Sequence, residues 1–130
     1  MLSLAPLERA ALSAIFEETG PAANKFYHLF DATVATRDIS GGGFFTTLNA
    51  WLPESDKSLH LGTDVYIAVE GLTHGIGMIL HLYYEPLPLL EGYPIGGGNL
   101  PRFDQETLRF AVVRKPGPLP IDRDKPCGGR

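Results

Sequence analysis

The sequence has one cysteine, Cys127, so no internal disulfide can form. Cys127 sits in a Pro-Cys-Gly-Gly context without a nearby histidine, and a cysteine nucleophile needs a base and an orienting group. We read it as an incidental thiol. No apolar run is long enough to span a bilayer, and the N-terminus lacks the basic-then-apolar pattern of a secretory leader. These absences point to a cytoplasmic protein with no membrane contact. No Gly-x-Ser-x-Gly elbow is present, which removes the serine hydrolase reading of His74-Gly75-Ile76-Gly77. Neither glycine-rich stretch continues as Gly-Lys-Ser/Thr or Gly-x-Gly-x-x-Gly, so neither reads as a phosphate cradle.

Histidines are few and spaced without a metal pattern. His28, His60, His74 and His81 include no His-x-His or His-x-x-x-His pair. His74 and His81 lie an odd number of residues apart, which on a regular strand puts them on opposite faces, unless a bulge at Gly75 or Gly77 restores the match. We therefore expect no metal site and no cofactor.

The 130 residues suit a single domain with its own core. The net charge of −4 is unevenly spread. Residues 1 to 113 carry 13 acids and 6 bases, a balance of −7. Residues 114 to 130 carry 2 acids and 5 bases, a balance of +3. An acidic folded part argues against a nucleic-acid surface and fits solubility or a basic protein partner.

The chain is organised around Arg37-Asp38-Ile39-Ser40-Gly41-Gly42-Gly43-Phe44-Phe45-Thr46, where three glycines join two strand-like segments. We expect positive φ at Gly42 or Gly43. Before this stretch the pattern is helical. Leu7, Ala11, Leu12, Ile15 and Phe16 form one face of a helix that starts near Pro6. Gly20-Pro21 ends it and opens a second helix with Ala23, Phe26, Tyr27 and Phe30 at α-helical spacing. After Ala32 the pattern is of strands: 33–39, 43–52, 64–69, 77–84, 87–93 and 108–113. The fold class is α+β, with two N-terminal helices packed on a mostly antiparallel sheet of about five or six strands. Residues 1–113 form the domain, and the Pro/Gly-rich basic tail 114–130 reads as extended or disordered.

Three stretches together resemble a family of small uncharacterised bacterial proteins. They are Arg37 to Thr46, similar to R-[ED]-x-[ST]-G-x-G-F-F-T; Gly71-Leu72-Thr73-His74-Gly75-Ile76-Gly77, similar to G-L-x-H-G-x-G; and Leu90-Glu91-Gly92-Tyr93, similar to L-E-G-Y. The likeness covers most of residues 5 to 113. Asp38 stands where the pattern has glutamate. The resemblance implies a bacterial α+β domain and brings no activity with it.

Two functional readings follow. The first is a non-enzymatic binding protein, of the immunity or inhibitor kind, directed against a basic toxin. The second is a small enzyme or ligand-binding module with a site near Arg37, Asp38, His74 and Glu91. Tyr93 joins these four as a candidate binding residue, because tyrosine is enriched at partner surfaces. For Arg37 and Asp38 the plain alternative is a pair of side chains that pin the glycine turn.

Overall fold

The structure is a computed structural model, and it describes residues 2–40, 42–55, 57–97, 99–100 and 108–119. It is an α+β arrangement with one sheet. The strands are β1 (Leu2–Ser3), β2 (Thr33–Ser40), β3 (Gly43–Asn49), β4 (Leu59–Val69), β5 (Ile76–Leu82), β6 (Leu89–Pro94) and β7 (Phe110–Val113). They lie side by side in the order β1-β2-β3-β6-β5-β4-β7, and every neighbouring pair is antiparallel. Seven strands exceed the expected five or six. The additional one, β1, is two residues long and pairs with Thr33 and Val34, too short to show alternation in the sequence.

Only one of the two expected helices is α-helical. Helix α1 spans Pro6–Thr19 and buries Leu7, Ala11, Leu12, Ile15 and Phe16. Gly20–Asp31 is a run of 3-10 turns. Its buried residues are Ala23, Phe26 and Leu29, every third position, as a helix of three residues per turn requires. Tyr27, assigned to the buried face at α-helical spacing, is half exposed instead.

Alternation sets the two faces of the sheet. Phe44, Thr46 and Leu48 of β3, Leu90 of β6 and Met78, Leu80 and Leu82 of β5 are buried on the side that α1 covers. Burying side chains of this size contributes roughly 1.5–3 kcal/mol each. Phe45, Leu89, Glu91, Tyr93, Ile79, His81 and His60 take the alternate positions on the outer face. No helix among the described residues is long and apolar enough to cross a membrane.

The three sequence motifs span the β2–β3 turn with the start of β3, the β4–β5 turn with the start of β5, and β6; β3, β6 and β5 are adjacent and interlock through glycines. The Phe44 ring lies where a side chain on Gly92 would project, so that an added Cβ would stand 2.1 Å from Phe44 Cε2. Tyr93 covers Gly77 in the same way on the outer face, at 2.4 Å from an added Cβ. Gly43 has φ 135°, and an added Cβ there would meet the Gly92 carbonyl oxygen at 2.4 Å. Gly43 therefore serves close packing of backbone on backbone.

Within the tail expected to be extended or disordered, Gly117 is bonded to the β4–β5 turn. The Gly117 N–H donates to the His74 carbonyl at 3.0 Å, and Pro118 and Leu119 lie beside Leu72 and Thr73. Residues 120–130, where the tail was expected to continue extended or disordered, lie outside the described residues.

Candidate functional site

Of the five residues singled out in the sequence, the sheet places Asp38, Glu91 and Tyr93 on its outer face. Asp38 pairs with Phe45, which pairs with Glu91, so that the two acids stand in one row two strands apart. At normal strand spacing that separation is about 10 Å. Tyr93 is the next outward residue on β6. Burial, then the charges of Tyr66 and Glu91, push its phenol up from the ordinary value.

Arg37 and His74 go elsewhere. Arg37 points under the helix, and its side chain is 8% exposed. Its guanidinium grips Glu8, with Nη2 to Oε1 at 2.5 Å and Nε to Oε2 at 3.0 Å. Oε1 also accepts from the Ala5 N–H at 2.7 Å, and Oε2 from the Thr46 hydroxyl at 2.5 Å. Glu8, an acid in the first turn of α1, is thus fully buried and holds α1 to β2 and β3. Arg37 and Asp38, neighbours on β2, face opposite sides of the sheet. His74 is in the β4–β5 turn, with its ring against Gly96. The four residues of the proposed module do not converge.

A different set does converge, around Glu91. His81 Nε2 lies 2.8 Å from Glu91 Oε1, and His81 Nδ1 lies 2.7 Å from His60 Nδ1. A carboxylate accepts only, so the proton of His81 belongs on Nε2. Its Nδ1 then carries a lone pair, and in the neutral pair His60 is the donor. The chain Glu91–His81–His60 crosses three strands, from the partly buried carboxylate to an exposed imidazole. Tyr84 stands over both histidines, with ring centroids 6.0 Å from His60 and 6.1 Å from His81.

Local backbone makes this set. Gly62, with φ 91°, opens a bulge between Leu61 and Val65 of β4. Beyond the bulge the register moves by two residues, so His60 faces His81, where an unbroken ladder would place Tyr83. Helix α1 sits against the bulge, because a Cβ on Gly62 would lie 2.5 Å from Ile15 Cγ1. At the other end of β5, Tyr83 has φ 65°, a left-handed conformation unusual for an aromatic residue. Its hydroxyl donates to the Pro53 carbonyl, and its ring meets Phe26 edge-on at 6.4 Å. Burial pushes the Tyr83 phenol up. These contacts anchor Tyr83, and Tyr84 follows it out over the histidines.

Next to the histidines runs a groove of about 330 Å³, lined by Thr47, Tyr84, Glu85, Pro86, Leu87 and Leu89. Thr47, Leu89, His81 and His60 form one row across β3, β6, β5 and β4. Sequence reasoning missed His60 as a partner of His81 because the ladder had to be counted through a bulge. The available signal was Gly62 inside a strand pattern, which marks bulges. Among the described residues no three or more His, Cys, Asp or Glu side chains gather as a metal-binding group. Arg37 is the single lysine or arginine within the seven described strands, and it faces inward. The outer face thus carries acids and histidines without a fixed cation on its strands.

No family model, curated protein or solved structure matches this chain.

Proposed function

We propose that this protein is a non-enzymatic binding protein whose recognition surface is the outer face of the sheet. The observation that carries this reading is the composition of that face. Asp38 and Glu91 stand on it, Phe45 and Tyr84 are exposed at 43% and 64%, and no lysine or arginine of the strands points there. A surface with aromatic anchors and acids of one sign suits a basic protein. The balance of −7 over residues 1–113 adds long-range attraction of the same sign. An immunity or inhibitor protein that blocks a basic toxin is the specific form of this reading.

The test is affinity capture from the native host with the full chain, at low and at high ionic strength. A basic protein retained at low salt and released by high salt supports the reading. Screening shortens the Debye length from about 10 Å at 0.1 M to about 3 Å at 1 M. Asp38→Lys and Tyr84→Ala should each reduce its recovery. A partner captured equally by both variants would place recognition elsewhere and overturn the proposal.

A second reading is favoured by one observation, the Glu91–His81–His60 chain beside the groove at Leu89. It is a small-ligand site that uses Glu91, of the residues originally grouped with Arg37, Asp38 and His74. Turnover or binding of a small molecule lost in His60→Ala and retained in His74→Ala would favour it.

A further inference from the structure

We propose that His60 and His81 form a transition-metal site on the outer face, with Glu91 as the carboxylate behind it. The two Nδ1 atoms approach to 2.7 Å across the β4–β5 ladder. Two donors at neighbouring corners of a square-planar or tetragonal ion, with bonds of about 2.0 Å, stand about 2.8 Å apart. Two donors on a tetrahedral ion stand about 3.3 Å apart. The pair therefore suits a tetragonal ion such as Cu2+ or Ni2+ with rotation of the rings and little change in spacing. Zn2+ requires the pair to open by about 0.6 Å.

The surroundings match a metal-binding histidine in a second respect. A histidine ligand normally donates its other ring N–H to a carboxylate, which fixes the tautomer and strengthens the donor. His81 does this through Nε2 to Glu91 Oε1 at 2.8 Å, which leaves Nδ1 as the donor atom toward His60. Backbone fixes the spacing, since the Gly62 bulge and the packing of Ile15 set the register that opposes the two histidines. The ion would replace the proton now shared between the rings, and water would complete its coordination. His60 is exposed, so the site opens to solvent. The sequence spacing hid it because His60 and His81 are far apart in the chain and no short motif joins them.

The experiment is titration of the full, metal-free chain with Ni2+ by calorimetry and with Cu2+ by electron paramagnetic resonance. The expected result is one ion per chain, with two imidazole nitrogens on Cu2+. His60→Ala is a surface substitution that should leave the melting temperature intact and abolish binding. His81→Ala should also abolish it. Glu91→Gln should weaken binding by about 10- to 100-fold, as loss of a supporting carboxylate does. His28→Ala and His74→Ala should bind as the natural chain does. Absence of binding, or binding unchanged in folded His60→Ala, would overturn the proposal. In the second case the ion would sit on other donors, such as the Cys127 thiol or the chain's amino terminus.

Discussion

His60 and His81 face each other, Nδ1 to Nδ1 at 2.7 Å, because Gly62 lets β4 bulge beneath Ile15 of the helix. The helix, the bulge and the histidine pair are therefore one mechanical unit. A change at Gly62 should be felt both in stability and at the outer face.

Gly62→Ala should destabilise strongly. An alanine at φ 91° meets a left-handed penalty of about 1–2 kcal/mol, and its methyl group overlaps Ile15. With overpacking the total should be about 2–4 kcal/mol. In an Ile15→Ala background the overlap disappears and the backbone penalty of about 1–2 kcal/mol should remain. Urea melts of the four proteins measure this coupling. Equal costs in both backgrounds would mean that Ile15 does not rest on the bulge.

The glycine turn allows a similar comparison. Gly43→Val should cost more than about 2 kcal/mol, because its Cβ would meet the Gly92 carbonyl oxygen and β-branched residues avoid positive φ. Gly42→Ala should stay within about 0.5 kcal/mol of the natural protein. An added Cβ there meets nothing closer than Ser40 Oγ at 3.9 Å. Guanidinium melts decide it. A tolerant Gly43 would remove the close approach between β3 and β6.

Much of the fold was legible in the sequence where one period dominated. Leu7, Ala11, Leu12, Ile15 and Phe16 announce a helix, and Phe44, Thr46 and Leu48 against Phe45, Thr47 and Asn49 announce the faces of β3. The 3-10 segment was not legible as such, since the pair Ala23 and Phe26, three residues apart, fits a period of three as well as one of 3.6. The candidate site was legible only in part. Asp38, Glu91 and Tyr93 are on the outer face, but Arg37 was drawn inward by Glu8, a partner 29 residues away. That pairing depends on how α1 lies on the sheet, and local sequence carries no mark of it. His60 was hidden by the bulge.

Glu8 and Arg37 should behave as a unit. Glu8→Ala leaves the Arg37 guanidinium without its carboxylate and should cost about 3–5 kcal/mol. Replacing both together, as Glu8→Leu with Arg37→Met, should cost much less than either single removal, because no unpaired charge stays buried. Thermal melts of the double-mutant cycle test this. A double variant as damaged as Glu8→Ala would show that the pair is needed for packing rather than for charge balance.

Tyr93 gives a prediction in pH. Its phenol titrates above the ordinary value of 10.0 in the folded chain. The unfolded chain therefore loses this proton first as pH rises. The contribution to stability is complete below about pH 10 and disappears as pH climbs through the raised folded value. Tyr93→Phe should flatten this part of the stability profile, and Glu91→Gln should bring the Tyr93 titration down. Ultraviolet difference titration at the phenolate band, with melts from pH 9 to 11.5, reads both. A Tyr93→Phe profile that falls as steeply as the natural one would assign the loss to other groups.

The last prediction concerns the segment 116–119, which the sequence alone assigns to an extended or disordered tail. Here the Gly117 N–H donates to the His74 carbonyl, and Pro118 and Leu119 line one cavity with Leu72 and Thr73. One hydrogen bond and the partial burial of Leu119 are worth about 1–2 kcal/mol together. Two shortened chains isolate that amount, one ending at Leu119 and one at Lys115. The first keeps the contact and the second loses it, while both lack the same later residues. The chain ending at Lys115 should melt about 3–8 °C lower, the shift expected for a loss of that size in a domain of this length. It should also show faster amide exchange in the turn Gly71–Gly75. Equal melting temperatures would mean that the strap adds nothing, and that the β4–β5 turn is held by its own glycines and by the Ile95 N–H bonded to the Gly75 carbonyl at 3.0 Å.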